Sequence, residues 1–124
     1  MNLNQITVPV IDIEKSITFY EILGLRLIVK ALPHYARFEC PEGNATFSLH
    51  QAQTLPVGEG IWIYFEVHNV DDYIKSLIGK NIKIDELPND KSWLWRESRL
   101  KDPDNNQIII YFAGKNRTNP PWRL

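Results

Sequence analysis

The sequence predicts an α+β domain of two βαβββ modules in tandem, and three observations point there. The chain has 124 residues, 44 % hydrophobic and 23 % charged, which is the size and make-up of one globular domain with its own core. Its hydrophobic periodicity runs strand, helix, three strands, and then runs the same course again. The second run ends in a strong hairpin signal over residues 93–112, WLWRESRLKDPDNNQIIIYF.

Residues 3–10 alternate loosely and reach Pro9, which suits a strand with an exposed end. Asp12 is the predicted cap of a helix whose apolar stripe is Ile13, Ile17 and Tyr20, with Gly24 as its stop. Strands are expected at 25–30, 35–40 and 45–51, with Pro41-Glu42-Gly43-Asn44 turning the chain between the last two. Residues 54–60, with Pro56, Gly58 and Gly60, are the one linker-like stretch. A strand at 60–67 then alternates cleanly, Ile61, Ile63, Phe65 and Val67 against Trp62, Tyr64 and Glu66. Asn69 caps a second helix with Val70, Ile74 and Leu77 as its stripe and Gly79 near its end. Strands are expected at 82–86, 92–100 and 107–112. Setting Val10 on Val67 also sets Ile13 on Val70 and Ile17 on Ile74, so the repeat is faint in residues and clearer in element order. In the last hairpin, Asp102-Pro103-Asp104-Asn105 supplies a capping acid, a preset φ and a residue that tolerates left-handed backbone.

Net charge is −1, which argues against nucleic acid or an anionic membrane as partner. A single cysteine, Cys40, excludes an internal disulfide, and no signal peptide or membrane-length apolar run is visible. A cytoplasmic setting is expected. Nucleophile motifs, phosphate-binding glycine loops and dinucleotide fingerprints are absent.

The pair Arg96-Glu97, then Leu100, then Asp-Pro-Asp-Asn opening an apolar strand, resembles the last hairpin of the vicinal-oxygen-chelate superfamily of glyoxalases, bleomycin-resistance proteins and extradiol dioxygenases. LNQITVPVIDIEKSITFYEILGL is similar to the family's opening strand and helix, so the resemblance spans roughly residues 3–112. It implies a curved mixed sheet, a half-open barrel with helices outside and a ligand cleft in its concave face. The expected domain is 1–113, with modules 1–53 and 60–113 and a C-terminal tail at 114–124. It also implies a homodimer.

Metal-binding members draw one ligand from the first and last strand of each module. By the resemblance these positions fall on Gln5, Ser48, Trp62 and Ile109. Trp and Ile cannot coordinate a cation and a serine hydroxyl is a poor ligand, so no metal and no cofactor is expected. Strand parity leaves a displaced divalent-metal site open, with His50, Glu66 and Tyr111 joined by Gln5 or Glu97.

The cleft face is expected to be aromatic instead: Trp62, Tyr64, Trp93, Trp95 and Tyr111, with Gln5, Thr7, Ser48, His50, Glu97, Arg99 and Ile109 around them. An apolar wall with few polar groups suits a small organic molecule. His50, Glu66 and Glu97 are the candidates for acid–base chemistry. Three readings follow: a metal-independent binder of a small organic ligand, a lyase or dioxygenase with a displaced metal, and a non-catalytic interaction domain whose cleft its own tail fills. The bland alternative for the charged pair is that Arg96 or Arg99 simply neutralises Glu97. In the tail, Trp122 is expected to dock rather than stay in water.

Overall fold

The computed structural model describes all 124 residues, Met1–Leu124. The βαβββ order appears twice, as two helices and eight strands in two mixed, open sheets. The chain divides into two compact units, residues 1–60 with 102–106, and 61–101 with 107–124.

In the first unit, β1 (Gln5–Val10) lies parallel to β4 (Thr46–Gln51), which pairs antiparallel with β3 (Tyr35–Glu39) and that with β2 (Arg26–Ala31). Between β1 and β2 runs α1 (Ile13–Leu23). Asp12 caps it through the Lys15 N–H at 3.1 Å, and Gly24 ends it at φ 112, a conformation in which a side chain would be strained. Its buried stripe of Ile13, Ile17, Tyr20 and Leu23 joins Val8, Val10, Phe38, Phe47 and Leu49 in the core, with Tyr20 and Phe47 rings 4.6 Å apart.

The 102–106 turn belongs to this unit because buried side chains hold it. Asp102 Oδ1 accepts the backbone N–H groups of Asp104 and Asn106, both at 2.9 Å. Its Oδ2 accepts the Tyr20 hydroxyl at 2.6 Å and the Asn106 amide at 2.7 Å. The predicted turn closes through Asn105 N–H to the Asp102 carbonyl at 3.1 Å, with Asn105 at φ 65. Asp104 accepts from the Ile11 N–H at 3.1 Å and the Ser16 hydroxyl at 3.3 Å. Burial pushes the Asp104 carboxyl above the usual carboxylate value, and the Asp102 charge adds to it, against the lowering effect of those bonds. A raised pKa favours the folded state below the unfolded carboxylate pKa, and that gain disappears as pH rises through the folded value. Asp104→Asn should therefore compare best with the wild type near neutral pH and lose ground as pH falls, which urea unfolding at several pH values would measure.

The second unit repeats the plan: β5 (Trp62–Glu66) parallel to β8 (Gln107–Phe112), then β7 (Arg96–Lys101) and β6 (Glu86–Asp90) antiparallel. Its helix α2 (Val70–Gly79) starts at Asn69, whose side chain accepts the Asp72 N–H at 3.0 Å. Val70, Ile74 and Leu77 face the core, where Ile63, Leu100, Ile108 and Ile110 are buried. A short 3-10 turn at Gly114–Arg117 follows β8.

Two predicted strands shift. The strand expected at 82–86 forms at Glu86–Asp90, because Asn81 takes the left-handed conformation (φ 64) after α2 and pairing opens only at Asp85 N–H to the Arg99 carbonyl, 2.8 Å. Pro88 sits in the register break between Glu86 and Asn89, where its missing N–H disturbs no ladder bond. The strand expected at 92–100 begins at Arg96, since Leu94 (φ 66) and a Leu94-to-Lys91 bond of 3.0 Å turn the chain before it. Trp122 is 56 % exposed, so it does not dock on its own domain; the tail is tied to it through the Asn116 carbonyl, which accepts the Trp95 indole N–H at 3.4 Å.

Candidate functional site

In the second unit, pairing of β5, β8 and β7 puts Tyr64 beside Ile109 and Arg99, and Glu66 beside Tyr111 and Glu97, on one sheet face. Trp95 precedes Glu97 by one residue pair on the same side. Its ring stacks on Tyr111 at 4.8 Å, and Tyr64 stands edge-on to both, 5.9 Å from Trp95 and 5.5 Å from Tyr111. Tyr111 is buried, whereas Tyr64 and Trp62 each keep 42 % of their surface exposed. The result is a stack of buried Tyr111 and half-buried Trp95 that carries the accessible Tyr64 ring, with Trp62 exposed on the same sheet face.

Charge is embedded in this wall. Glu97, 1 % exposed, accepts the Trp93 indole N–H at 2.8 Å through Oε1. Its Oε2 has no hydrogen-bond partner and lies 3.6 Å from Arg99 Nη2. The Arg99 guanidinium covers the Trp62 ring at 4.7 Å and lies 3.5 Å from Glu86, which also holds Lys91. Trp93 thus enters the site from the turn before β7. Burial pushes the Tyr64 phenol up, the Glu97 charge adds to that, and Arg99 opposes it. Burial and then the Glu66 charge push Tyr111 up.

Glu66 is committed elsewhere. Its Oε1 accepts the backbone N–H groups of Ala113 and Gly114, both at 2.9 Å, and Oε2 is 3.8 Å from Arg117. Arg96 faces the other side, where it grips Asp71 of α2 through two bonds of 2.7 and 2.8 Å.

In the first unit, the register places Gln5, Thr46 and Glu39 in one row, Thr7, Ser48 and Arg37 in the next, and Pro9, His50 and Tyr35 in the third. Gln5 accepts the Thr46 hydroxyl at 2.8 Å. The buried Ser48 hydroxyl shares a 2.8 Å bond with Tyr35, whose oxygen also accepts Arg37 Nε–H at 2.9 Å. Burial acts to raise the Tyr35 phenol, but the bonds from Ser48 and Arg37 and the Arg37 charge outweigh it and hold it below the usual phenol value. His50 and Thr7 are exposed. Tyr35 and Arg37 were not singled out in the sequence; only the β3–β4 register reveals them. A cavity of about 350 Å³ beside the start of α1, lined by Ile11, Asp12, Leu32 and Gln51 among others, contains none of the expected site residues.

A family model described as the Glyoxalase/Bleomycin resistance protein/Dioxygenase superfamily matches residues 2–110. The chain belongs to that superfamily. It is 31 % identical over 125 residues to uncharacterized protein YraH of Bacillus subtilis (strain 168), covering 90 % of this chain and 98 % of that one. Among solved structures it is similar to a glyoxalase/bleomycin resistance protein/dioxygenase from Nocardioides, with a TM-score of 0.79 at 20 % identity over 100 % of this chain and 89 % of that one. A lactoylglutathione lyase from Agrobacterium tumefaciens matches with a TM-score of 0.76 at 16 % identity, over 90 % and 93 % of the two chains. These identities speak for the fold.

The residues at the positions that the resemblance assigns do not fit a metal ion. Of the four positions the resemblance assigns, Trp62 and Ile109 offer no donor atom, and Ser48 is bonded to Tyr35. For the displaced set, one Glu66 oxygen already accepts two backbone N–H groups. No group of three or more His, Cys, Asp or Glu side chains is gathered in a way that holds a metal ion.

Proposed function

We propose that this chain is a metal-independent small-molecule-binding member of the superfamily, which holds a planar organic ligand against the aromatic face of the second unit. The observation that carries this is a pair of accessible rings: Tyr64, set edge-on against a stack of buried Tyr111 and half-buried Trp95, and Trp62, under the Arg99 guanidinium. Leaving such rings in water is unfavourable, and a flat ligand covers them while the stack beneath Tyr64 fixes its angle. Glu97 and Arg99 supply orientation: a buried acceptor and a guanidinium already lying on an aromatic face. Ile109 and Tyr111 remain proposed contacts of that ligand, and Gln5, Thr7, Ser48 and His50 remain proposed ligand-binding residues of the first unit, on the strength of the resemblance.

Binding, rather than chemistry, is the function assigned. Glu66 is held by backbone amides and Glu97 by an indole N–H and an arginine, so neither is a free base in this arrangement; His50, the third candidate, is exposed on β4 of the first unit. A single 1–113 domain, a homodimer and a cytoplasmic setting are proposed by analogy with the superfamily; no helix here is long and apolar enough to cross a membrane.

Ligand-observed NMR with planar aromatic fragments (indole, quinoline, 2-naphthol) tests the reading. Saturable binding is expected, weakened about five- to tenfold by Tyr64→Ala, the worth of one aromatic contact of about 1 kcal/mol. Binding that is absent, or equally strong in Tyr64→Ala and Trp62→Ala, would remove the aromatic face as the site.

A further inference from the structure

We infer that the polar sheet face of the first unit is an oxyanion site, in which Arg37 and Tyr35 hold a carboxylate or phosphonate group of an organic molecule. This goes beyond the aromatic face: its anchors, Arg37 and Tyr35, lie in the other unit and have no part in that reading, although Ser48 and Gln5 beside them were already proposed as ligand contacts.

The first support is a count of protons. Arg37 Nε–H, the Tyr35 hydroxyl and the Ser48 hydroxyl are three donors joined by two hydrogen bonds. If Tyr35 donates to Ser48, the serine proton is left over; if Ser48 donates to Tyr35, the phenol proton is left over. Either way one hydroxyl proton points at an acceptor that the chain does not supply. Ser48 is fully buried and Tyr35 half-buried, so the arrangement that offers the surplus proton outward is the one in which Ser48 donates and the phenol proton is left over.

The second support is charge. Arg37 spends only Nε on Tyr35, and its guanidinium lies 5.4 Å from that ring's centre. Its two terminal nitrogens keep four N–H donors, and no carboxylate neutralises them. Glu39, the acid two residues along the same strand, is taken by Arg26 at 2.6 Å. An arginine fork and a hydroxyl donor side by side match the two oxygens of a carboxylate or the three of a phosphonate. Against the raising effect of burial, the Tyr35 phenol is held below its usual value first by the Ser48 bond and then by the Arg37 bond and charge, and that same arginine charge favours an anion there. Gln5 adds donors in the neighbouring row, because its carbonyl is used by Thr46 while its amide N–H groups are not.

The test is an amide-resolved NMR titration of the full-length chain at constant ionic strength, with isobutyrate, methylphosphonate and neutral isobutyramide as probes. Saturating shifts confined to residues 35–39 and 46–50 are expected with at least one anion and not with the amide, and the stronger anion identifies the oxyanion. Arg37→Gln should weaken binding about tenfold to a hundredfold and Tyr35→Phe several-fold, whereas Lys15→Gln, a distant loss of the same charge, should leave it unchanged. No saturable shift with either anion, equal response to isobutyramide, or equal weakening by Lys15→Gln would overturn the site. None of these probes is aromatic, so this result and the one at Tyr64 are read separately.

Discussion

Asp102→Ala is expected to lower stability by about 3–5 kcal/mol, the largest effect of any single polar substitution in this chain. The carboxylate is 4 % exposed and accepts four hydrogen bonds, two from the backbone of its own turn and two from Tyr20 and Asn106. Removing it strands all four donors, and a buried donor left unpaired costs more than the bond contributed. The Tyr20 phenol, raised far above its usual value first by burial and then by the Asp102 charge, stays neutral and can only serve as that donor. Tyr20→Phe should cost less, about 1–2 kcal/mol, because Asn106 still reaches the orphaned oxygen. The double variant should cost clearly less than the sum of the two, since they share one bond. Urea unfolding of the three variants would show it; additive losses would mean that Tyr20 and Asp102 act independently.

Glu97→Ala should cost about 2–3 kcal/mol, below the range for breaking a fully buried pair. The reduction comes from Arg99, which is 28 % exposed at its side chain and retains Glu86 as a second acid at 3.5 Å. Glu97→Gln keeps an oxygen for the Trp93 indole and should cost less. The glutamine variant also carries an electrostatic signature. With the Glu97 charge gone and the Arg99 charge kept, the Tyr64 phenol should titrate at lower pH than in the wild type. Ultraviolet titration, with Tyr64→Phe to assign the signal, would record that shift; a Tyr64 phenol that titrates unchanged would mean that Glu97 does not act on this face.

Element order was legible from the sequence because periodicity is a local property. Asp12, Gly24 and Asn69 do what their residue types suggest, and so does the Asp102–Asn105 turn. Boundaries failed where backbone conformation was carried by an unexpected residue. Asn81 and Leu94 adopt positive φ without being glycine, and they delay β6 and β7. Ile82 and Ile84 alternate with polar residues as a strand would, yet no partner strand pairs with them, because pairing starts at Asp85.

The candidate site was legible in its residue types and not in its bonds. Parity placed Trp62, Tyr64, Trp95, Glu97, Arg99 and Tyr111 on one face, but not Glu66's commitment to the Ala113 and Gly114 amides. That Arg96 or Arg99 neutralises Glu97 was the bland expectation; Arg99 does so, through an oxygen, Oε2, that has no hydrogen-bond partner. Tyr35 and Arg37 went unnoticed since an alternating strand offers them as ordinary surface residues; their meaning comes from Ser48 opposite Arg37 on β4.

The most direct test of the central claim is calorimetric titration of 2-naphthol into EDTA-treated protein, repeated with Zn²⁺, Ni²⁺, Mn²⁺ or Fe²⁺ added. The predicted result is one saturable isotherm, unchanged by any of the four ions and weakened about five- to tenfold in Tyr64→Ala. Stoichiometric uptake of one ion, with 2-naphthol bound only in its presence, would contradict a metal-independent aromatic site.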